Sequence, residues 1–97
     1  MSMVIQSINL AQMGLPQNTI TPLPIAWDAT MLGVTETPNG PMLSYITTGN
    51  APFGGNQGPR ALLVGEYTAL PDAQLRWIGS FTPPGFPYPM HLFEVQP

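Results

Sequence analysis

Apolar and polar residues alternate along this chain in short runs that proline and glycine keep cutting off. Over Gln74 to Thr82, Leu75, Trp77 and Phe81 interleave with Arg76, Ile78 and Ser80, the period-two signature of a strand with one buried face. Thr30 to Thr48 holds two strand-like runs around Thr37-Pro38-Asn39-Gly40-Pro41. A tight Asn-Gly turn there would set Pro38 against Pro41, and neither has an N–H to give to a ladder. The sequence therefore predicts a longer loop, with Pro38 and Asn39 at the centre of a type I turn, Gly40 in the left-handed bulge position and Thr37 facing Pro41. In that register Leu32, Val34, Met42 and Ile46 share a core face, and Tyr45 lies across from Gly33.

A second hairpin is predicted to join Ala61 to Thr68 with Gln74 to Thr82 through Leu70-Pro71-Asp72-Ala73, where the proline suits the first central position of a type I turn. Ser2 to Met13 fits a strand through Val4, Ile5 and Ile8, or a short helix stopped by Gly14 and Pro16; propensity favours the strand. Thr19 to Trp27 carries Pro22 and Pro24, which confines it to a sheet edge or a crossing between sheets. A last strand is expected over Tyr88 to Gln96. With 13 prolines and 10 glycines spread through 97 residues, long helices are excluded. The predicted fold is all-β: one domain over 1–97, a small antiparallel sandwich or partly open barrel of 6–7 short strands with Pro/Gly-rich loops.

Composition adds one strong constraint. Charged residues make up 7% of the chain, against about 25% in an average soluble domain, and lysine is absent. A folded chain of this mass exposes roughly 5,400 Å², so an interface-sized patch of roughly 800 Å² carries about one charge. Interface cores are poor in Lys, Glu and Asp and rich in aromatics and Met, and this chain has 6 Met, 4 Phe, 3 Tyr and 2 Trp. A net charge of −3 with Arg60 and Arg76 as the cations cannot build the basic stripe that phosphate binding requires, so direct nucleic-acid binding is not expected. Without cysteine there are neither disulfides nor thiolate metal sites. No secretory signal and no membrane span are expected from the hydropathy pattern, and the compartment is left open.

The candidate chemistry is thin. Ser80 follows Gly79 but lacks the second glycine of a nucleophile elbow and falls within a predicted strand. His91 is the single histidine, and in a strand it points away from Glu94, three residues on. Glu66 shares a face with Leu62 and Val64 and is expected to reach solvent or to meet Arg76 across the hairpin. The glycines of Asn50 to Arg60 lack the Gly-Lys-Ser/Thr ending of a phosphate loop. No catalytic residue, cofactor or metal site is therefore predicted.

What these features favour is contact with protein. Phe53 and Arg60 in the glycine-rich loop, and Phe86 and Tyr88 in the extended Thr82 to Pro89 segment, are the predicted interface residues. The expectation is a non-enzymatic structural subunit in a homo- or hetero-oligomer, such as a minor capsid, cement or tail component of a virus or phage, with the virion as its setting. Two rivals remain: a monomeric protein-binding module or inhibitor, and a small ligand-binding protein or enzyme in which Glu66, His91 or Arg76 meet in a pocket between the sheets.

Overall fold

Between the proline and glycine breaks, the strand-forming runs pair into two antiparallel sheets. The computed structural model describes residues 2–49, 51–52, 58–83 and 85–96. Along the chain run β1 (Val4–Asn9), α1 (Leu10–Met13), β2 (Thr21–Pro22), β3 (Thr30–Thr37), β4 (Gly40–Thr47), β5 (Arg60–Gly65), β6 (Leu75–Phe81) and β7 (Met90–Val95). One sheet has the order β1-β4-β3 and the other β2-β5-β7-β6. The all-β expectation holds, with two facing sheets and no closed barrel.

The ambiguous first segment is both things in succession. Val4 to Asn9 is a strand, and Asn9 then caps a single helical turn by accepting hydrogen bonds from the Ala11 and Gln12 amides. Gly14, at φ 65°, ends that turn in the left-handed region. The Asn9 amide group also donates to the Asn39 carbonyl at 2.8 Å, which ties the β3–β4 turn to the start of α1.

In that turn Pro38 and Asn39 occupy the centre and Gly40 has a φ of 117°, as the sequence predicts, but the register differs by one residue. Thr37 pairs with Gly40 and Pro41 stands opposite Glu36. The Thr37 hydroxyl is the physical reason: it donates to the Gly40 carbonyl at 2.7 Å and accepts the Asn39 amide, closing the turn without an N–H from either proline. A one-residue slip exchanges the faces of a strand. The buried residues of β4 are thus Pro41, Leu43, Tyr45 and Thr47, while Met42 and Ile46 turn outward. Tyr45 pairs with Met31 and not with Gly33. A bulge at Leu32 turns that side chain to solvent at 50% exposure and lets both Met31 and Val34 point into the core.

The second predicted hairpin does not form, because β7 lies between β5 and β6. Each is antiparallel to β7, so β5 and β6 run parallel and the chain between them must cross over. It passes across the outer side of the sheet, where Ala69, Leu70 and Pro71 line a cleft together with Leu62 and Val64. β5 is buried on both faces: Ala61 and Leu63 belong to the core between the sheets, and Leu62 and Val64 to a second cluster with Val95, Leu75 and Phe93. Its unbroken run Ala61-Leu62-Leu63-Val64 is the pattern of a central strand, which needs a neighbour on either edge. In β6 the predicted alternation is interrupted by a bulge at Ile78, so Trp77 is turned out while Ile78 and Phe81 are buried.

The two sheets meet along β3 and β6. A Cβ on Gly79 would come within 2.8 Å of the Val34 Cβ and 3.1 Å of its backbone nitrogen, so glycine is what permits the approach. Arg76 donates to the Met31 carbonyl at 2.9 Å and the Thr82 amide donates to the Glu36 carboxylate at 3.0 Å, fastening the seam at two points.

Candidate functional site

The largest cooperative polar arrangement among the described residues is on the outer face of the four-stranded sheet. Ser80 on β6 is the direct cross-strand partner of His91 on β7, and His91 pairs on its other side with Val64 on β5. Glu66 lies two residues past Val64 and returns to the same face. The pairing aligns three side chains in a row: Ser80 Oγ is 2.6 Å from His91 Nδ1, and His91 Nε2 is 2.6 Å from Glu66 Oε1. Trp77 Nε1 donates to Ser80 Oγ at 3.1 Å. One proton arrangement satisfies every contact with a neutral imidazole. Nε2–H donates to the carboxylate, the serine hydroxyl donates to Nδ1, and the serine oxygen accepts from the indole.

That polarity is the one needed to draw a proton from a serine hydroxyl, with the carboxylate fixing the imidazole. Two clefts among the described residues lie away from the row. The apolar cleft lined by Leu10, Leu15, Phe81, Phe86 and Met90 has about 180 Å³ of solvent space, below the roughly 300 Å³ at which ligand pockets begin. None of Ser80, His91 or Glu66 lines that cleft or the one beside Leu70.

The sequence reading brings Glu66 and His91 together only with Arg76, in a pocket between the sheets, and leaves Ser80 out, so it misses the row. Pointing His91 away from Glu94 is borne out, since Glu94 pairs with Arg76 on the other face at 2.9 Å. Of the two expectations for Glu66, its side chain does reach solvent in part, but it meets His91 instead of Arg76, because β7 separates the strands carrying Glu66 and Arg76. Among the described residues no cluster of three or more His, Cys, Asp or Glu could hold a metal ion.

A second polar cluster is structural. Thr47 is fully buried and donates to Asp28 Oδ1 at 2.5 Å, while Thr48 donates to Oδ2 from its hydroxyl at 2.8 Å and from its amide at 3.3 Å. The Thr47 hydroxyl holds the Asp28 carboxyl below its ordinary pKa; desolvation opposes this and the Thr48 bonds add to it. Asp28 thereby fastens the chain before β3 to the end of β4.

Of the four predicted interface residues, the three that are described lie at opposite ends of β5. Phe53 lies outside the described residues. Arg60 begins β5 opposite Pro22 and Val95 and is half-buried. Phe86 and Tyr88 lie at the other end of that strand: Phe86 lines the apolar cleft, and the Tyr88 ring covers Gly65, the last residue of β5. Both are partly exposed, at 40% and 45%. Larger apolar exposures occur where the sequence reading did not place them, at Tyr67, Ile5, Trp77 and Trp27. The signal for Ile5 was its position in an uncharged, proline-free strand. No family model, no curated protein and no solved structure matches this chain.

Proposed function

We propose that this chain is a non-enzymatic structural subunit that works packed against other protein chains, as a minor capsid, cement or tail component of a virus or phage does. One observation carries the reading: 11 large apolar side chains are exposed among the described residues, in a chain with only seven charged ones. They include Ile5 and Leu32 on the outer face of the three-stranded sheet, Trp77 on that of the other, and Tyr67 in the turn after β5. Scattered apolar residues are ordinary on a surface, whereas this many beside so little charge suit burial against protein.

Hydroxyl-radical footprinting tests it by comparing the dilute purified chain with the chain in its native source. Protection of Tyr67, Trp77, Trp27 or Met3 in the native material is the expected result. An identical oxidation pattern in the two preparations counts against the proposal.

The Ser80–His91–Glu66 row favours a second reading, in which Ser80 acts as a nucleophile on small activated esters. Attack by Oγ would pass its proton to His91 Nδ1 and expel the leaving group, leaving an acyl-serine for water to hydrolyse. A fluorophosphonate probe distinguishes the readings: stoichiometric labelling that Ser80→Ala abolishes would establish the nucleophile, and absence of labelling retires it.

A further inference from the structure

Among the described residues, every sheet edge is accounted for except one. β3 and β6 face each other across the seam. The edge of β5 is covered by β2, a strand of two residues that contains Pro22, and by Gln17 and Asn18, whose contacts with Leu63 continue the pairing. Short, proline-bearing segments of this kind are how an edge is made unreceptive. β1 has none of these protections. It pairs with β4 on one side, and among the described residues no backbone hydrogen bond reaches its other side.

We infer that β1 is the strand through which a second copy of this chain adds, antiparallel about a twofold axis, joining the two three-stranded sheets into one of six strands. This deepens the assembly reading and rests on it. Met3-Val4-Ile5-Gln6-Ser7-Ile8 contains no charge, proline or glycine, and the first ionisable side chain in the sequence is Asp28. An antiparallel pair of these strands therefore brings no like charges together, the usual obstacle to self-pairing. Directly opposed residues share a face, so Ile5 can stand against the partner subunit's Ile5 on the outer side. That contact covers a side chain now 68% exposed.

An exposed aromatic, Trp27, lies at one end of the same sheet. Its neighbour Asp28 is bonded to Thr47, and Thr47 pairs with Val4, so the exposed indole sits at the same end of the sheet as Met3 and Val4. A six-residue edge is about 20 Å long. It covers far less than the roughly 800 Å² per partner of a standard interface, so the isolated pair is weak and concentration-dependent. Repetition within an assembly is what makes such a contact persistent.

Sedimentation velocity from about 1 μM to about 1 mM tests the inference on the wild-type chain, Ile5→Lys and Tyr67→Lys. The wild type is expected to pass from monomer to dimer. Ile5→Lys should raise the dissociation constant by about tenfold or more, since an edge lysine opposes strand addition. Tyr67→Lys, on the other sheet, should leave it unchanged. The chain has no cysteine, so a single introduced thiol gives a clean second readout. Under mild oxidation Ile5→Cys should form a covalent dimer about tenfold faster than Tyr67→Cys, although Tyr67 is the more exposed site.

Association that survives Ile5→Lys, with equal cross-linking rates, overturns the β1 inference while leaving assembly through another surface. A wild type that stays monomeric across the range also overturns it, and the native-source footprint then decides separately whether the partner is a different chain.

Discussion

The two sheets present opposite kinds of outer surface. On the four-stranded sheet the outward residues of β5 are buried, at 2% exposure for Leu62 and 3% for Val64, beside the crossover between β5 and β6. The rest of that face holds the exposed Trp77 and, in a hydrogen-bonded row, Ser80, His91 and Glu66. On the three-stranded sheet the outward residues include Ile5, Ser7, Thr35, Met42, Ser44 and Ile46, with no charge among them and no described segment laid across. Covering a sheet from within its own chain requires a long crossover, and the topology supplies one only where two parallel strands flank a third. The sheet built from a hairpin and one added strand is left open, and it is there that the chain's deficit of charge matters most.

The contrast can be broken first at its covered side. Leu62→Ala should cost about 2–5 kcal/mol in denaturant unfolding, because the methyl groups removed belong to a filled cluster. A cost below 1 kcal/mol would mean that the second core is loosely packed. Next comes the seam that joins the sheets. Gly79→Ala is expected to lose about 1–3 kcal/mol by forcing Val34 away, with partial recovery in the double variant with Val34→Ala. Simple additivity of the two changes would refute the contact.

A smaller loss is expected on the polar row. His91 and Glu66 are 27% and 36% exposed in their side chains, so water screens the pair and Glu66→Gln should cost no more than about 1 kcal/mol. A double-mutant cycle with His91→Ala measures the coupling directly.

Asp28 gives the contrast a pH axis. Its folded pKa is lower than its unfolded one, so the unfolded chain takes up the proton first as pH falls. The stabilisation is present in full above the ordinary aspartate range and is lost as the pH drops through the lower folded value. Asp28→Asn should flatten this acid limb of a stability–pH curve; an unchanged limb would assign it to other carboxylates. The smallest effect is expected at the open face. Ile5→Ala should change monomer stability by less than about 0.5 kcal/mol, since that side chain is exposed on a bare sheet. A loss comparable to that of Leu62→Ala would show that something already covers it.

The sequence disclosed fold class, breaks and edges because these follow from local chemistry. Pro22 could only stand at an edge, and Gly40 had to take the positive φ after Pro38 and Asn39. Register was harder, since the prolines at 38 and 41 excluded one turn without revealing that the Thr37 hydroxyl would close another. Bulges at Leu32 and Ile78 then displace the predicted faces; each directly precedes a glycine within its strand, Gly33 and Gly79, and that glycine is the local sign of a bulge. Topology failed for a different reason. Strands that are neighbours in sequence usually pair, but the four consecutive apolar residues 61–64 ask for a strand on each side. Without a place for β7 between β5 and β6, Ser80 and His91 cannot be recognised as partners, so the site is legible only once the long-range pairing is known.

The seam between β3 and β6 also changes what a visiting molecule meets. Arg76 grips the Met31 carbonyl and the Glu94 carboxylate at once, which a single-headed ammonium would do poorly. One of the two cations in the whole sequence is thus engaged in holding the halves of the protein together. Because its partner is Glu94, the pair cancels one charge of each sign, and the net charge of −3 rests on Arg60 set against the four remaining carboxylates.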